Sequence, residues 1–185
     1  MDEAEKFAGV MTLWLAHDRD RRMARVRFSQ AFGQQHYYPI DRMIAAANMF
    51  DLLPQEAAPA PAKTGAKARH TPLKQKILRR AMPIIAALGH RLPELELVIQ
   101  QAVECRNYFV HGPPAPFDVT EHFGVVFFLN DTLEFVFAAS ELIDGGWDIA
   151  AWAARHSSSH PFAVYCHNYA PNLAELRALL GAPKP

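Results

Sequence analysis

The sequence predicts an all-α fold, a helical bundle, and three observations carry that expectation. Apolar residues recur three and four apart through most of the chain, the spacing of one buried helix face. Glycine and proline fall at the ends of these stretches, where helices stop and start. The one segment with strand character, FGVVFFL from Phe123 to Leu129, has no second strand to pair with, and its continuation LNDTLEFVFAASELI has helical spacing.

The elements follow in order. Phe7, Val10, Met11, Trp14 and Leu15 form a first apolar stripe, expected to face the core. Asp18 is placed to cap a second helix that carries Arg19, Arg21, Arg22, Arg25 and Arg27 and ends near Gly33. Pro39 opens a third, with its stripe at Ile40, Met43, Ile44, Ala47, Phe50 and Leu53. From Pro54 to Pro72 the composition turns to Ala, Pro and Lys, which predicts an exposed, mobile loop. The helical pattern resumes at Leu73 and runs through Ile77, Ala81, Ile84 and Leu88, with a kink or break expected at Pro83. Pro93 is expected at the first position of the next helix, whose stripe is Leu95, Val98, Ile99, Ala102, Cys105 and Phe109. Gly112, Pro113 and Pro114 end it. A long helix then spans about His122 to Ile143 and stops at Gly145-Gly146. Trp147 and Trp152 pack in the tail, a Ser157–Ser159 loop follows, and a short helix from about Asn172 to Leu180 closes the chain at Gly181. Short connections and the lack of an internal repeat favour a bundle over a solenoid.

Composition sets the outer limits. A chain of 185 residues, half of them hydrophobic, fits one domain with a substantial core. Within it, 1–53 holds the N-terminal helices, 54–72 the loop, 73–145 the core and 146–185 a C-terminal extension. The longest apolar runs are short and interrupted, as in Met82 to Leu88 and Val125 to Leu129, so no membrane association is expected. The opening MDEAEKFAGV is acidic and unlike a signal peptide. Cys105 and Cys166 have no paired spacing and read as core thiols, and a cytoplasmic location is expected. The scattered histidines lack ligand spacing, and Gly145-Gly146 is no phosphate-cradling loop. Neither a metal nor a cofactor is expected.

Net charge is zero, yet charge is unevenly placed. Residues 63 to 93 hold eight Lys/Arg and no acid, whereas residues 94 to 185 hold eleven acids against four bases. This arrangement predicts either a positive face suited to a phosphate backbone or a set of ion pairs between distant parts of the chain.

The chemistry concentrates in Arg106-Asn107-Tyr108-Phe109-Val110-His111. Arginine offers a permanent planar charge that matches phosphate oxygens. Histidine offers a proton donor or acceptor near neutral pH. A plainer reading pairs Arg106 with a neighbouring charge and places His111 at a helix C-terminus for its favourable dipole interaction. Five positions on a regular helix put the two about 140° apart, so they converge only if the last turn loosens or if two copies complete the site.

RNYFVHG, Arg106 to Gly112, resembles the Arg-x4-6-His signature of the HEPN superfamily. DRMIAAANMFDLLP (Asp41 to Pro54), LNDTLEFVFAASELIDGGW (Leu129 to Trp147) and HPFAVYCHNYAPNLAELRALL (His160 to Leu180) look like its Apea-like branch. The resemblance implies a helical bundle with the motif at a helix end, and a homodimer in which two motifs meet. It implies metal-independent endoribonuclease activity in prokaryotic defence or a toxin–antitoxin setting. Arg106 would stabilise phosphorane charge, His111 would transfer protons, and Asn107 would orient His111 or the phosphate. Lys74, Lys76, Arg79 and Arg80 would track RNA beside the cleft. Relatives often carry a further N-terminal sensing domain with no counterpart in these residues, which leaves two expectations: a stand-alone version, or control by an antitoxin or sensor protein. Some relatives carry a modifiable tyrosine two residues after the motif histidine. Pro113 stands there, which argues against adenylylation. The alternative is a non-catalytic nucleotide- or RNA-binding or dimerisation module.

Overall fold

A computed structural model describes residues 3–33, 39–54, 71–112, 114–155 and 160–181. Among these there are eight helices and no strand. In order they are α1 (Glu3–Ala16), α2 (Asp18–Gly33), α3 (Pro39–Asp51), α4 (Leu73–Leu88), α5 (Leu95–His111), α6 (Phe123–Asp144), α7 (Ile149–Ala153) and α8 (Pro161–Gly181). The all-α bundle expected from the sequence is the fold. Most of the expected Ala/Pro-rich loop and the Ser157–Ser159 loop lie outside the described residues.

α6 is the centre. It packs against α1, α2, α3, α4, α5 and α8, and 14 of its 22 residues are buried. A helix that is apolar on nearly every side belongs inside a protein. By length and composition α6 also passes as a membrane span, which a search for uninterrupted apolar runs overlooks. Here 72% of its most apolar window is buried in the bundle. Gly146, at φ +87°, lets the chain turn away at its end. The N–H of Trp147 bonds the Leu142 carbonyl and that of Gly146 the Ile143 carbonyl, satisfying acceptors the helix leaves open.

Burying α6 also buries its carboxylates, and arginines from three other helices meet them. Glu134 is 4% and Glu141 3% exposed. Arg42 of α3, itself 2% exposed, grips Glu134 with Nε and Nη2, both at 2.8 Å, and reaches Asp131 at 2.6 Å. Glu141 accepts from Arg21 Nη1 at 2.7 Å, Arg25 Nε at 2.9 Å and Arg80 Nη2 at 3.1 Å. Asp144 holds Arg21 and Arg80 as well. Part of the acidic excess after residue 94 is therefore internal pairing across long sequence separations, with Arg80 the contribution of the basic stretch.

Several local expectations need correction. α1 has no buried residue: Phe7 is 68% and Leu15 59% exposed, while Val10, Met11 and Trp14 are half-buried. Trp14 instead places its ring under the Arg25 guanidinium, 3.7 Å from the centroid. Asp18 begins α2 and does not cap it. α1 and α2 almost fuse across His17, whose carbonyl takes the Arg21 N–H, so the Asp18 carboxylate is free to bind Arg22 and Arg25. α4 passes through Pro83 unbroken, and α8 passes through Pro171, beginning at Pro161 instead of near Asn172. Both prolines sit on exposed faces, where water can serve the carbonyl each ring deprives of a donor. The motif helix starts two residues after Pro93. Glu94 takes a left-handed conformation (φ 57°), and its turn is tied to α8 by Tyr169 Oη donating to the Pro93 carbonyl at 2.8 Å and by the Arg177–Glu94 pair. In the tail, Trp147 and Trp152 lie 5.5 Å apart and both meet Phe162.

Two stability predictions follow from the α6 ion pairs. Arg42→Ala leaves Glu134 buried without its main counter-charge and should cost about 3–5 kcal/mol in denaturant melts at pH 7; an unchanged midpoint would show that the pair carries no such weight. Burial disfavours the Asp144 carboxylate, but bonds and charge from Arg80 and then Arg21 outweigh it and hold this group below its usual range of 3.8. A depressed folded-state value stabilises at neutral pH and is lost as pH falls below 3.8 towards the folded value. Asp144→Asn should thus lower stability at pH 7 and flatten the acid limb of a stability–pH curve.

Candidate functional site

α5 presents the motif because its inner face is committed to the core. Leu95, Val98, Ile99, Gln101, Ala102 and Cys105 are buried, and Phe109 is half-buried behind them. Cys105 lies wholly inside, and burial pushes its thiol up to about 12, so it is an inert core residue. Cys166 is half-buried with its thiol also raised by burial. The opposite side of α5 leaves Asn107, Val110 and His111 exposed.

Arg106 lies at the seam between α5 and α3, half-buried. Nη1 donates to Asn107 Oδ1 at 3.2 Å, and Nη2 donates to Asn48 Oδ1 of α3 at 3.2 Å. Nε is buried without a hydrogen-bond partner among the described residues. Both acceptors are neutral amides. Arg21, Arg25, Arg42 and Arg80 all meet carboxylates, whereas Arg106 forms no ion pair among the described residues. The plainer reading of Arg106 as one half of a charge pair does not describe it. Its position is fixed by dipoles while its full charge remains available to an incoming anion.

Asn107 bonds Arg106, not His111. His111 occupies the last turn of α5, exposed and without a hydrogen-bond partner among the described residues. The helix stays regular to its end, since the Gly112 N–H bonds the Tyr108 carbonyl at 2.8 Å, an i to i−4 bond. The last turn therefore does not loosen, and the two motif side chains leave the helix about 140° apart and about 7.5 Å along its axis. Within one chain they do not converge.

The four expected RNA-contacting cations divide between two flanks of α4. Lys74 faces α5: its Nζ donates to Gln100 Oε1 at 2.8 Å, and Gln100 Nε2 passes the chain on to Glu104 Oε1 at 2.8 Å. Lys76 turns the other way and bonds Asp51 of α3 at 2.9 Å. Arg80 is held by Ser140, Glu141 and Asp144. Arg79 is exposed and has no such partner among the described residues. Lys63, Lys67 and Arg69 lie outside them. Among the described residues no three His, Cys, Asp or Glu side chains come together in a way that would hold a metal ion.

Asn48 is the site residue that sequence reading missed. An asparagine within the apolar run Ala45 to Phe50 is a poor helix former and a mild signal by itself. Its link to Arg106, 58 positions away, has no sequence signature.

Gly112 sets where the motif helix ends. Its φ of 86° with ψ of −169° lies in a region open essentially to glycine alone, although a Cβ there would meet nothing within 4 Å. Gly112→Ala should therefore destabilise by about 1–3 kcal/mol through backbone strain alone, read from thermal or denaturant melts. No family model matches this chain, and no curated protein or solved structure matches it.

Proposed function

We propose that this protein is a metal-independent endoribonuclease of the HEPN type, acting as a homodimer whose two motifs form one composite site. The observation that carries the reading is the state of Arg106: a guanidinium held by amides, with no ion pair among the described residues, one helical turn and a half before an exposed histidine. Elsewhere, around α6, Arg21, Arg25, Arg42 and Arg80 are matched to carboxylates. Here amides do the positioning, which suits a transient negative charge better than a permanent partner.

Cleavage of RNA by its own 2′-hydroxyl needs a base for that hydroxyl, an acid for the departing 5′-oxygen and positive charge on the pentavalent phosphorus. His111 of one copy removes the proton as the 2′-oxygen bonds to phosphorus. His111 of the second copy delivers a proton to the 5′-oxygen as the P–O bond breaks. Arg106 stabilises the phosphorane, and Asn107, already bonded to Arg106, keeps the guanidinium aimed. The products are a 2′,3′-cyclic phosphate and a 5′-hydroxyl. The regular end of α5 supports the two-copy arrangement, because a single chain keeps its arginine and histidine apart. Among the four α4 cations, Lys74 lies on the α5 side and is the one suited to follow RNA from the motif. A cytoplasmic role in defence or beside an antitoxin or sensor protein fits an activity that must be held in check.

A second reading, a non-catalytic binding or dimerisation module, has its own support in the apolar side chains that α1 and α2 leave exposed, among them Phe7, Leu15 and Met23.

The test is cleavage of a mixed RNA pool in EDTA with the 3′ ends mapped, comparing wild type with Arg106→Ala and His111→Ala. Cutting that leaves cyclic phosphate ends and drops by about two to four orders of magnitude in either variant, with the fold intact, is expected. A well-folded dimer that never cuts would favour the binding module. The composite site has a separate check in subunit mixing. Wild-type and His111→Ala chains, exchanged at equal ratio, should retain about a quarter of the activity if both histidines are needed. A value near one half would instead place each complete site within one chain.

A further inference from the structure

We propose that the bundle carries a second anion site, away from the motif, that takes the phosphate of a nucleoside monophosphate. A cavity of about 330 Å³ opens between α2, α4 and the end of α6, at the lower end of the range for small-molecule sites. Four cations line it: Arg21, Lys76, Arg79 and Arg80. They come from two helices, and on α4 they recur at positions 76, 79 and 80, one helical face.

Among the described residues the charge around the cavity is not fully compensated. Asp51 answers Lys76, and Glu141 with Asp144 answers Arg21 and Arg80. Asp18 offsets Arg25, which shares Glu141. Arg79 has no carboxylate among the described residues and supplies the surplus. Arg21 uses only Nη1 in its two ion pairs, so its Nε and Nη2 donors have no partner among the described residues. The Thr71 hydroxyl also lines the cavity, whereas the Ser140 hydroxyl is spent on the Phe137 carbonyl and serves to hold Arg80 Nε. Guanidinium donors with a hydroxyl beside them match the oxygens of a phosphate monoester. Asp144, the one carboxylate among the described residues of the wall, is engaged by two arginines and holds both in place.

The remaining wall selects what the phosphate is attached to. Leu53, Pro54 and Pro83 form an apolar side suited to the flat face of a base. Inorganic phosphate would use only the cationic half of such a site and adenosine only the apolar half. The shared chemistry is that of a free nucleotide and of the 5′ end of an RNA, since both present the same phosphomonoester and ring. The inference does not depend on the ribonuclease reading.

The experiment is calorimetric titration of the full-length protein with AMP, adenosine and inorganic phosphate, repeated on Arg79→Ala, Arg79→Glu and Arg106→Ala. AMP should bind at least about tenfold more tightly than either fragment, Arg79→Ala should weaken it about tenfold, and Arg79→Glu should weaken it further. Arg106→Ala should leave the affinity as it was. Arg79 has no partner to lose among the described residues, so its variants should melt like wild type. Competition by 5′-phosphorylated but not 5′-hydroxyl RNA would assign the pocket to chain ends, and its failure would assign it to free mononucleotides. Absence of AMP binding at millimolar concentration overturns the proposal. So does equal binding of adenosine, or an affinity indifferent to Arg79 and lost in Arg106→Ala, which would place the phosphate at the motif.

Discussion

The fold depends on neutralising the carboxylates that α6 carries into the interior. α6 is apolar enough to sit at the centre of the bundle, but Glu134 and Glu141 go in with it and are almost wholly shielded from water. An isolated carboxylate there would cost several kcal/mol. Arg42, Arg21, Arg25 and Arg80 remove that cost, and by doing so they dictate where α2, α3 and α4 can lie around α6. An apolar helix could rotate or slide against its neighbours with little penalty. A helix whose charges need arginines at 2.7–3.1 Å cannot.

Seen against those pairs, Arg106 is the exception. It sits in the same bundle, on a helix that also touches α6, yet its partners are Asn48 and Asn107. Two amide dipoles are enough to hold a planar guanidinium in one place and too weak to cancel its charge. The difference is between an arginine whose work is finished when the chain folds and one left able to bind an anion. Packing determines how that arginine is displayed: the inner stripe of α5 is locked in the core, and Gly112 ends the helix directly after His111.

The basic stretch of α4 shows how secondary structure sorts a run of charge. Lys74, Lys76, Arg79 and Arg80 are near neighbours in sequence and read together as one strip. The helical turn sends Lys74 towards α5 and the motif, and sends the other three to the flank shared with α2 and the end of α6. Two of those three are then bound to carboxylates of distant helices. Arg79 alone is left over, which is why the cavity beside it has an excess of positive charge.

The sequence by itself determined the helical class, the placement of most helices and the inward stripe of the motif helix, because helical periodicity and glycine stops are local properties. It misjudged α1, whose stripe at Phe7 and Leu15 has the right spacing but no second layer to cover it. It also put a kink or break at Pro83 and helix starts at Pro93 and near Asn172, since whether a helix tolerates proline depends on which face meets water and on contacts from far along the chain. The tether of Arg106 to Asn48 and the capture of Arg80 by Ser140, Glu141 and Asp144 join residues 58 to 64 positions apart. No spacing rule encodes such a meeting; only the packing of α3, α4 and α5 around α6 brings those groups within reach. That is why the tertiary structure, and not the motif, decided which arginines are neutralised and which, Arg106 and Arg79 among them, meet no carboxylate among the described residues.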